Sequence, residues 1–565
     1  MSEATSTYFI VKWGNAMELL DLIWKKEQII RLAEIVRILA RYSLTDWLQK
    51  IPFQTVRDML SSAETQRIKD LSTPERLRLA LTEMGPTFIK LGQVLSTRAD
   101  LIGPEFAGEL RKLQADTPAD PFDVVARTIR EELGKSPEEV FSTFEPGAFS
   151  SASIGQVHLA RLADGQPVVV KVQHDGIQEK VRLDLELLKG LAKLLQEHVP
   201  DARAYQPVTT TREFQRTLFR ELDFLSERRN MEQFANNFAE DATLHIPTVY
   251  RQMCSRRVLT MEWLQGIPGS KPDKIRASEV DLNDFAKNTA NVFLNMIFRD
   301  GFYHADPHPG NFMVLDGGIL GLLDCGMVGR IDESVRELFE DLLLLLLQGD
   351  SEGLADLLLQ AGSAPADVDR VGFRSDVSDL LVEYGTQSLE EFDLGGALDQ
   401  LTDIVRRHHV IMPAAAALLL KTLVMLEGTS RLLSPTFSLA ELLEPFKERL
   451  IGQRLDPRRW LRKLQRSMRD VDRLIRQGPR NLADILERLQ SGRLTIRHEH
   501  QHLETIANRL VAGLLTASLF MGSSLLLSNA SPPLVSGFSI AGGIGCLAAV
   551  TLGGRLLWVI RKNVK

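Results

Sequence analysis

The sequence predicts an α+β fold in two lobes, preceded by helices and closed by a pair of apolar helices. Three observations carry that expectation. The first is the run Tyr303-His304-Ala305-Asp306-Pro307-His308-Pro309-Gly310-Asn311, followed by Asp324-Cys325-Gly326. Asp306 and Asn311 stand five apart, and Asn311 and Asp324 thirteen apart. That rhythm suits phosphoryl transfer: one carboxylate faces an attacking hydroxyl or water, while an amide oxygen and a second carboxylate hold magnesium against phosphates. The second is a small-residue loop, a hairpin and a lysine on an apolar strand, spread over residues 150–172. The third is the absence of any charged residue between Arg509 and Arg555.

Along the chain, residues 1–70 and 71–125 read as two helical segments, and residues 126–264 as the smaller lobe. Within that lobe, Ser150, Ser151, Ala152, Ser153 and Ile154 form a loop whose small side chains let backbone N–H groups approach phosphates. Leu159 to Leu162 continues as a strand, Asp164-Gly165 turns it, and Pro167 to Val172 returns. Lys171 on the return strand would reach the α- and β-phosphates, and an acid must hold it. Glu227, on the predicted helix that begins near Glu221, is the chosen partner. Val258 to Leu264 reads as the strand into a hinge, whose backbone near Glu262 and Leu264 would meet the adenine edge. Together with the Asp306, Asn311 and Asp324 set, this makes the predicted fold protein-kinase-like.

Residues 265–450 form the larger lobe. There Met313 to Leu323 reads as a hairpin with an Asp-Gly-Gly turn, which returns Asp324 beside Asp306. Leu342 to Leu347 is too short, and Ala414 to Leu426 too interrupted by Lys421, to span a membrane; both read as core helices. Residues 451–508 form a linker. Its 454–480 stretch carries ten arginines and lysines against three aspartates, with Trp460, Leu464, Met468, Val471 and Ile475 at helical spacing. It suits either anionic headgroups or a helix packed on the lobe with a solvated face. His498, His500 and His502 read as a solvated helix.

Residues 509–565 read as a transmembrane hairpin. Leu510 to Leu527 and Leu534 to about Ile560 each approach the ~20 apolar residues that cross a bilayer. Ser528 to Pro533 turns between them, and Arg509, Arg561, Lys562 and Lys565 flank the pair. Positive flanks and an uncharged turn place both ends in the cytoplasm. Gly542, Gly543 and Gly545 let helices approach closely and permit a homodimer without demanding one.

Composition bounds the reading. At 565 residues the chain exceeds one ordinary domain, and 44% hydrophobic with 25% charged residues is globular. A net charge of −7 argues against nucleic acid as a partner. Cys254, Cys325 and Cys546 have no metal-ligand or disulfide spacing, which suits a reducing compartment. The opening residues lack a signal-peptide pattern, and Glu3, Glu18 and Asp21 oppose a transit peptide. A bacterial inner membrane, with the lobes in the cytoplasm, is the expected address.

The residues resemble the UbiB/AarF (ADCK) family of atypical kinases. Phe88-Ile89-Lys90-Leu91-Gly92-Gln93 matches its KxGQ motif, Glu221-Leu222-Asp223 its ExD motif, and Ser153 to His158 the end of its alanine-rich loop. The resemblance runs from about residue 30 to the end, with the motifs in family order. Ser150 and Ser151 replace the usual alanines, and Cys325 replaces the commoner phenylalanine; neither change removes a metal or phosphate ligand.

The resemblance implies that residues 71–125 are a KxGQ extension folding over the active site, with Lys90 meeting Glu221 and Gln93 on the same helical face. Such a lid excludes a protein substrate. The short step from Gly326 to Ile331 agrees, since it leaves no room for a peptide-docking loop. The implied function is a membrane-anchored ATPase in ubiquinone biosynthesis, with ATP or ADP and Mg2+ as ligands. Asp306, Lys171 and Lys90 would be catalytic, and Asn311 and Asp324 the metal ligands. Membrane lipid, polyprenylated quinone precursors and quinone-biosynthesis proteins are the implied partners. A lipid or small-molecule phosphotransferase and an ATP-gated scaffold stand as alternatives.

Overall fold

The computed structural model describes residues 26–44, 71–113 except 97, 117–198, 206–385 except 363, 366 and 367, 393–442 except 440, 503–529, 532, 534–535 and 538–562. The expected basic helix at 454–480 and the three following histidines lie outside the described residues. Two units make up the chain, Met1–Leu455 and Asp456–Lys565.

Short-range signals set the first helices. Ser72 and Glu75 close a capping box that starts the helix Thr73–Met84, and Pro86 restarts the chain as Pro86–Leu95 after Gly85 at φ 96°. Ala99–Ile102 and Pro104–Leu110 follow. Ala80, Leu81, Phe88, Ile89 and Leu110 bury against Ile35 and Ile38 of the helix Lys26–Arg41. Gly92 lets the helices approach closely there, because a Cβ would displace Leu113 Cδ1. Arg31 fastens this layer to the next helix through Asp184, at 2.7 Å and fully buried.

The first lobe is an antiparallel sheet in the order β1 (Thr143–Phe144), β3 (Gly155–Arg161), β4 (Pro167–Gln173), β6 (Val258–Glu262), with β2 (Ser150–Ser151) also on β3. Strand periodicity sorts β4: Val168, Val170 and Val172 are fully buried with Val125 and Ile129 of the helix Phe122–Leu133. Val169 and Lys171 therefore point the other way. Three helices follow β4: Ile177–His198, Pro207–Glu221 and Phe224–Asn237. The last is capped by Asp223, which accepts from Leu225 N.

In the second lobe, β5 (Leu244–His245), β10 (Ile319–Leu322), β9 (Phe312–Leu315) and β7 (Ile267–Pro268) form a small mixed sheet. The helix Leu282–Leu294 runs into a π-helical turn, Asn295–Asp300, and then β8 (Phe302–His304), which pairs with β11 (Val328–Arg330). The expected hairpin is β9–β10, with Leu315 opposite Ile319 and Asp316–Gly318 as its turn. Helices Glu333–Gln348, Ser351–Ala361, Arg370–Gly385, Leu394–Arg407 and Ala414–Leu433 complete the lobe. Leu419, Leu423 and Leu426 are buried, so the apolar run around Lys421 is core.

The second unit contains Leu503–Ser528 and Ile540–Lys562 packed side by side. The second helix begins later than expected, because Leu534–Val535 pairs as a short strand with Phe538–Ser539. Leu510–Ser528 is long and apolar enough to cross a bilayer, whereas the apolar part of its neighbour, Ile540–Leu556, is shorter.

Candidate active site

The site is assembled on a strand, a helix and two loops. From β4, Lys171 Nζ donates to Glu227 Oε2 at 2.9 Å and Oε1 at 3.1 Å. It also reaches Asp324 Oδ2 at 3.4 Å and lies 5.2 Å from the Phe224 ring centre. Both carboxylates come from sequence-distant elements, so the lysine ties the two lobes together. Burial opposes the charge on Lys171, but Asp324 and Glu227 outweigh it and hold the ammonium well above the usual lysine range. Burial also disfavours an ionised Asp324; Lys171, the Gly326 amide at 2.7 Å and Lys90 reverse this and keep the carboxyl well below its usual range. At Glu227 burial wins, pushing the carboxyl up to about 7 against the pull of Lys171.

Asp306 and Asn311 face each other in the loop after β8. Asn311 Nδ2 donates to Asp306 Oδ2 at 2.8 Å and to the Asp306 carbonyl at 3.0 Å. Its amide oxygen is thereby turned away from that carboxylate. His304, 1% exposed, connects this loop to the metal-binding candidate. Its Nδ1 accepts from Asp306 N at 3.2 Å, which leaves Nε2–H to donate to the Asp324 carbonyl. The helix Ala414–Leu433 holds the loop from behind: Thr422 donates to the Ala305 carbonyl at 3.3 Å and Thr429 to the Pro307 carbonyl at 3.1 Å. From the same helix, Lys421 Nζ stands 3.8 Å from Asp306 Oδ1. Sequence reading missed His304 and Lys421. The histidine's position two before Asp306 was a usable signal; Lys421 carried none, being 115 residues away in the chain.

Lys90 pairs with Glu221 at 2.8 Å, both side chains mostly buried. Burial works against the Lys90 charge, but Glu221 and then Asp324 raise it. The N-terminal helices thus deliver a second lysine to the Asp324–Lys171 cluster. Gln93 lies on the same helix, and its amide donates to the Leu113 carbonyl at 3.2 Å, which ties the extension to itself. One face carries both residues, but their partners lie in different places.

Two further expectations need correction. Ser150 and Ser151 are not loop residues; they pair with Val157 and Gln156, because the strand starts at Gly155 rather than Leu159. The turn is only Ala152, Ser153 and Ile154. Ala152 N donates to the Gly155 carbonyl, and Ser153 and Ile154 are buried, so the expected five-residue cradle is narrower. At the hinge, Glu262 N donates to the Thr248 carbonyl at 2.9 Å, while its carboxylate accepts from His245 at 3.0 Å and Thr248 N at 3.0 Å. Its N–H is therefore spent within the sheet, and a hinge donor would have to be Leu264, which is 5% exposed.

The donor set decides which ion the site fits. Asn311 and Asp324 offer hard oxygens, and among the described residues no group of three His, Cys, Asp or Glu side chains could hold a metal. Two oxygen ligands suit Mg2+, which keeps waters and takes phosphate oxygens. Cys325 is fully buried and its thiol is pushed well up by burial, so it is no ligand.

Family profiles and several known proteins resemble the chain. Family profiles match at residues 112–358 (ABC1 atypical kinase-like domain), 377–438 (UbiB helical domain) and 495–562 (ABC1/UbiB kinase-like C-terminal domain). The chain is 34% identical over 469 residues to "Probable protein kinase UbiB" of Pseudomonas paraeruginosa, covering 81% of this chain and 87% of that one. It is 32% identical over 499 residues to the protein of that name from Azotobacter vinelandii, covering 86% and 92%. A solved Mycobacterium tuberculosis structure, the Rv3197–erythromycin complex, aligns at 25% identity over 61% of this chain and 92% of that one, with a TM-score of 0.39.

Proposed function

The chain belongs to the UbiB/ABC1 family of atypical kinase-like proteins, and from that premise we propose that it is a membrane-anchored ATPase serving ubiquinone biosynthesis. The observation that carries the reading is Lys171 held between Glu227 at 2.9 Å and Asp324 at 3.4 Å. A strand cation clamped by a helix acid and a loop acid is what a nucleotide's phosphates require. ATP or ADP would bind between the lobes, with the adenine edge at the Leu264 backbone. Asn311 and Asp324 would hold Mg2+, which neutralises charge on the phosphates when bound. Asp306 orients or deprotonates the nucleophile through the oxygen not engaged by Asn311.

Water is the favoured nucleophile over a protein hydroxyl. Lys90 on the extension reaches the same charge cluster as Lys171, and only β11 separates Gly326 from the capped helix at Glu333. A peptide platform has no room there. The anchor would be Leu503–Ser528 with Ile540–Lys562, crossing a bacterial inner membrane as a hairpin and placing the lobes near polyprenylated quinone precursors. Quinone-biosynthesis proteins would be further partners.

Asp324→Asn tests the reading. It should abolish Mg2+-dependent ATP turnover while the protein stays folded; unchanged hydrolysis would remove the metal assignment. Following the γ-phosphate in the wild type separates hydrolysis, with free phosphate as product, from transfer to a lipid or small molecule.

A further inference from the structure

One buried cation beside the site has no task so far. The Lys421 side chain is 14% exposed, and its ammonium stands 3.8 Å from Asp306 Oδ1. That is close enough for attraction but too far for a hydrogen bond. Among the described residues Lys421 Nζ has no hydrogen-bond acceptor. Asn311 already engages the other Asp306 oxygen, so Oδ1 is the one left for a proton. An oxygen atom placed to one side of the pair could lie about 2.8 Å from both Nζ and Oδ1.

Lys421 also lines a cavity of about 50 Å³ whose walls come from two directions. The N-terminal extension contributes Ser96, Ala99 and Arg111, and the helical lobe contributes Asp399 and Leu420. Asp100, also in the wall, is tied to Arg98 at 2.8 Å, and Asp399 faces Arg111 electrostatically. Asp100 is thus engaged, and of the two cations in the lining, Arg111 and Lys421, the lysine is the one beside Asp306. Burial holds the Lys421 ammonium below its usual range, with Arg111 adding to this and Asp306 opposing it. A cavity of this size takes a few waters or the tip of a slender hydroxyl compound.

We propose that this cavity is the acceptor port of the active site and that Lys421 is a catalytic residue in it, holding the attacking hydroxyl or water oxygen against Asp306 Oδ1. The inference rests on the ATPase reading above. In the step, the oxygen forms a bond to the γ-phosphorus as the bond from that phosphorus to the β–γ bridging oxygen breaks. The electron pair of the broken bond stays on ADP, and the hydroxyl proton passes to Asp306 Oδ1. Lys421 remains protonated and donates to the incoming oxygen throughout. Because the extension supplies one wall, displacing it opens the port, which gives the extension a second hold on turnover besides Lys90.

The experiment uses the full chain in liposomes and measures Mg-ATP affinity and steady-state turnover separately for Lys421→Met, Lys421→Arg and Ala99→Leu. Lys421→Met should bind Mg-ATP as the wild type does while kcat falls about a hundredfold. Lys421→Arg should recover part of that loss, because it restores a donor at the same place. Ala99→Leu, which narrows the port and leaves the lysine intact, should lower kcat with the KM for ATP unchanged. Wild-type turnover in Lys421→Met overturns the proposal. So does joint loss of affinity and turnover that Lys421→Arg does not relieve. If Lys421→Met fails to fold, Ala99→Leu decides, and wild-type turnover there places the port elsewhere. A wild type that turns over ATP with both positions insensitive removes this inference alone. A wild type that binds Mg-ATP without turnover removes the ATPase reading and this inference with it.

Discussion

The two units of this protein are built on opposite rules. Among the described residues of Met1–Leu455 most large apolar residues are inside, and several of the charges that enter are closely paired: Lys171 with Glu227 and Asp324, Lys90 with Glu221, Arg31 with Asp184. In the described helices of the second unit, Leu503–Ser528 and Ile540–Lys562, large apolar residues are outside. Leu515 is 65% exposed and Leu547 70% exposed, while Ser523 and Ala549 are buried between the helices. Gly542 and Gly545 face that seam, where a Cβ would run into Leu527 and Ser523. A protein surface in water does not carry a contiguous face of this kind without a partner. Small residues at the contact and leucines outward are the pattern of helices whose solvent is lipid. The difference supports the proposed anchor: the outward leucines of these helices suit a lipid environment that the first unit's surface does not.

The sharpest way to break the comparison is to remove the second unit's helices. A chain ending at Glu504 should move from the membrane pellet to the supernatant and keep its nucleotide affinity. Continued sedimentation would shift the anchor to the basic 454–480 stretch or to the N-terminal region. Next in size is the first unit's charge cluster. Asp324→Asn should lower Mg2+-dependent turnover by roughly a hundredfold to a thousandfold, the scale for losing one preorganised electrostatic group. Turnover measured across Mg2+ concentrations checks it, since a lost ligand is not rescued by more metal at the same site.

Lys90→Ala is a smaller change. The fold should survive with a loss of about 1–3 kcal/mol in unfolding free energy, because Glu221 is left without its partner. Turnover or ATP-versus-ADP preference should also change. Wild-type behaviour in both would end the reading of the extension as a lid. The smallest effect is a pH dependence. The Glu227 carboxyl sits at about 7 when folded, above the ~4.3 of an unfolded glutamate. Its contribution to stability therefore declines as pH rises from about 4 through 7. Glu227→Gln lacks that decline, so its stability relative to wild type should improve between pH 5 and 8 in denaturant titrations. A difference that is flat with pH would contradict the burial-driven shift.

Much of the site was legible because its geometry follows from local spacing. The β9–β10 hairpin needs only the Asp-Gly-Gly turn between alternating strands, and it returns Asp324 toward Asp306. Placing Lys171 beside Glu227 needed only strand alternation and one helix face. What escaped depended on long-range packing. Ser150 and Ser151 looked like a loop from their polarity, yet a neighbouring strand captured them. The backbone near Glu262 and Leu264 was expected to meet the adenine edge, and only the fold shows that the Glu262 amide goes to Thr248. Gln93 could not be separated from Lys90 by face alone, because Leu113 decides where its amide goes. Lys421 is the clearest case: a lone lysine in an apolar helix read as an interruption, and only the fold sets it beside Asp306.

The most direct test of the central claim is ATP turnover by the full chain in liposomes, with and without a polyprenylated quinone-precursor mimic, following the γ-phosphate. Mg2+-dependent release of free phosphate that rises with the mimic, and is lost in Asp324→Asn, is the expected result. No nucleotide binding, or turnover indifferent to Asp324, would contradict it.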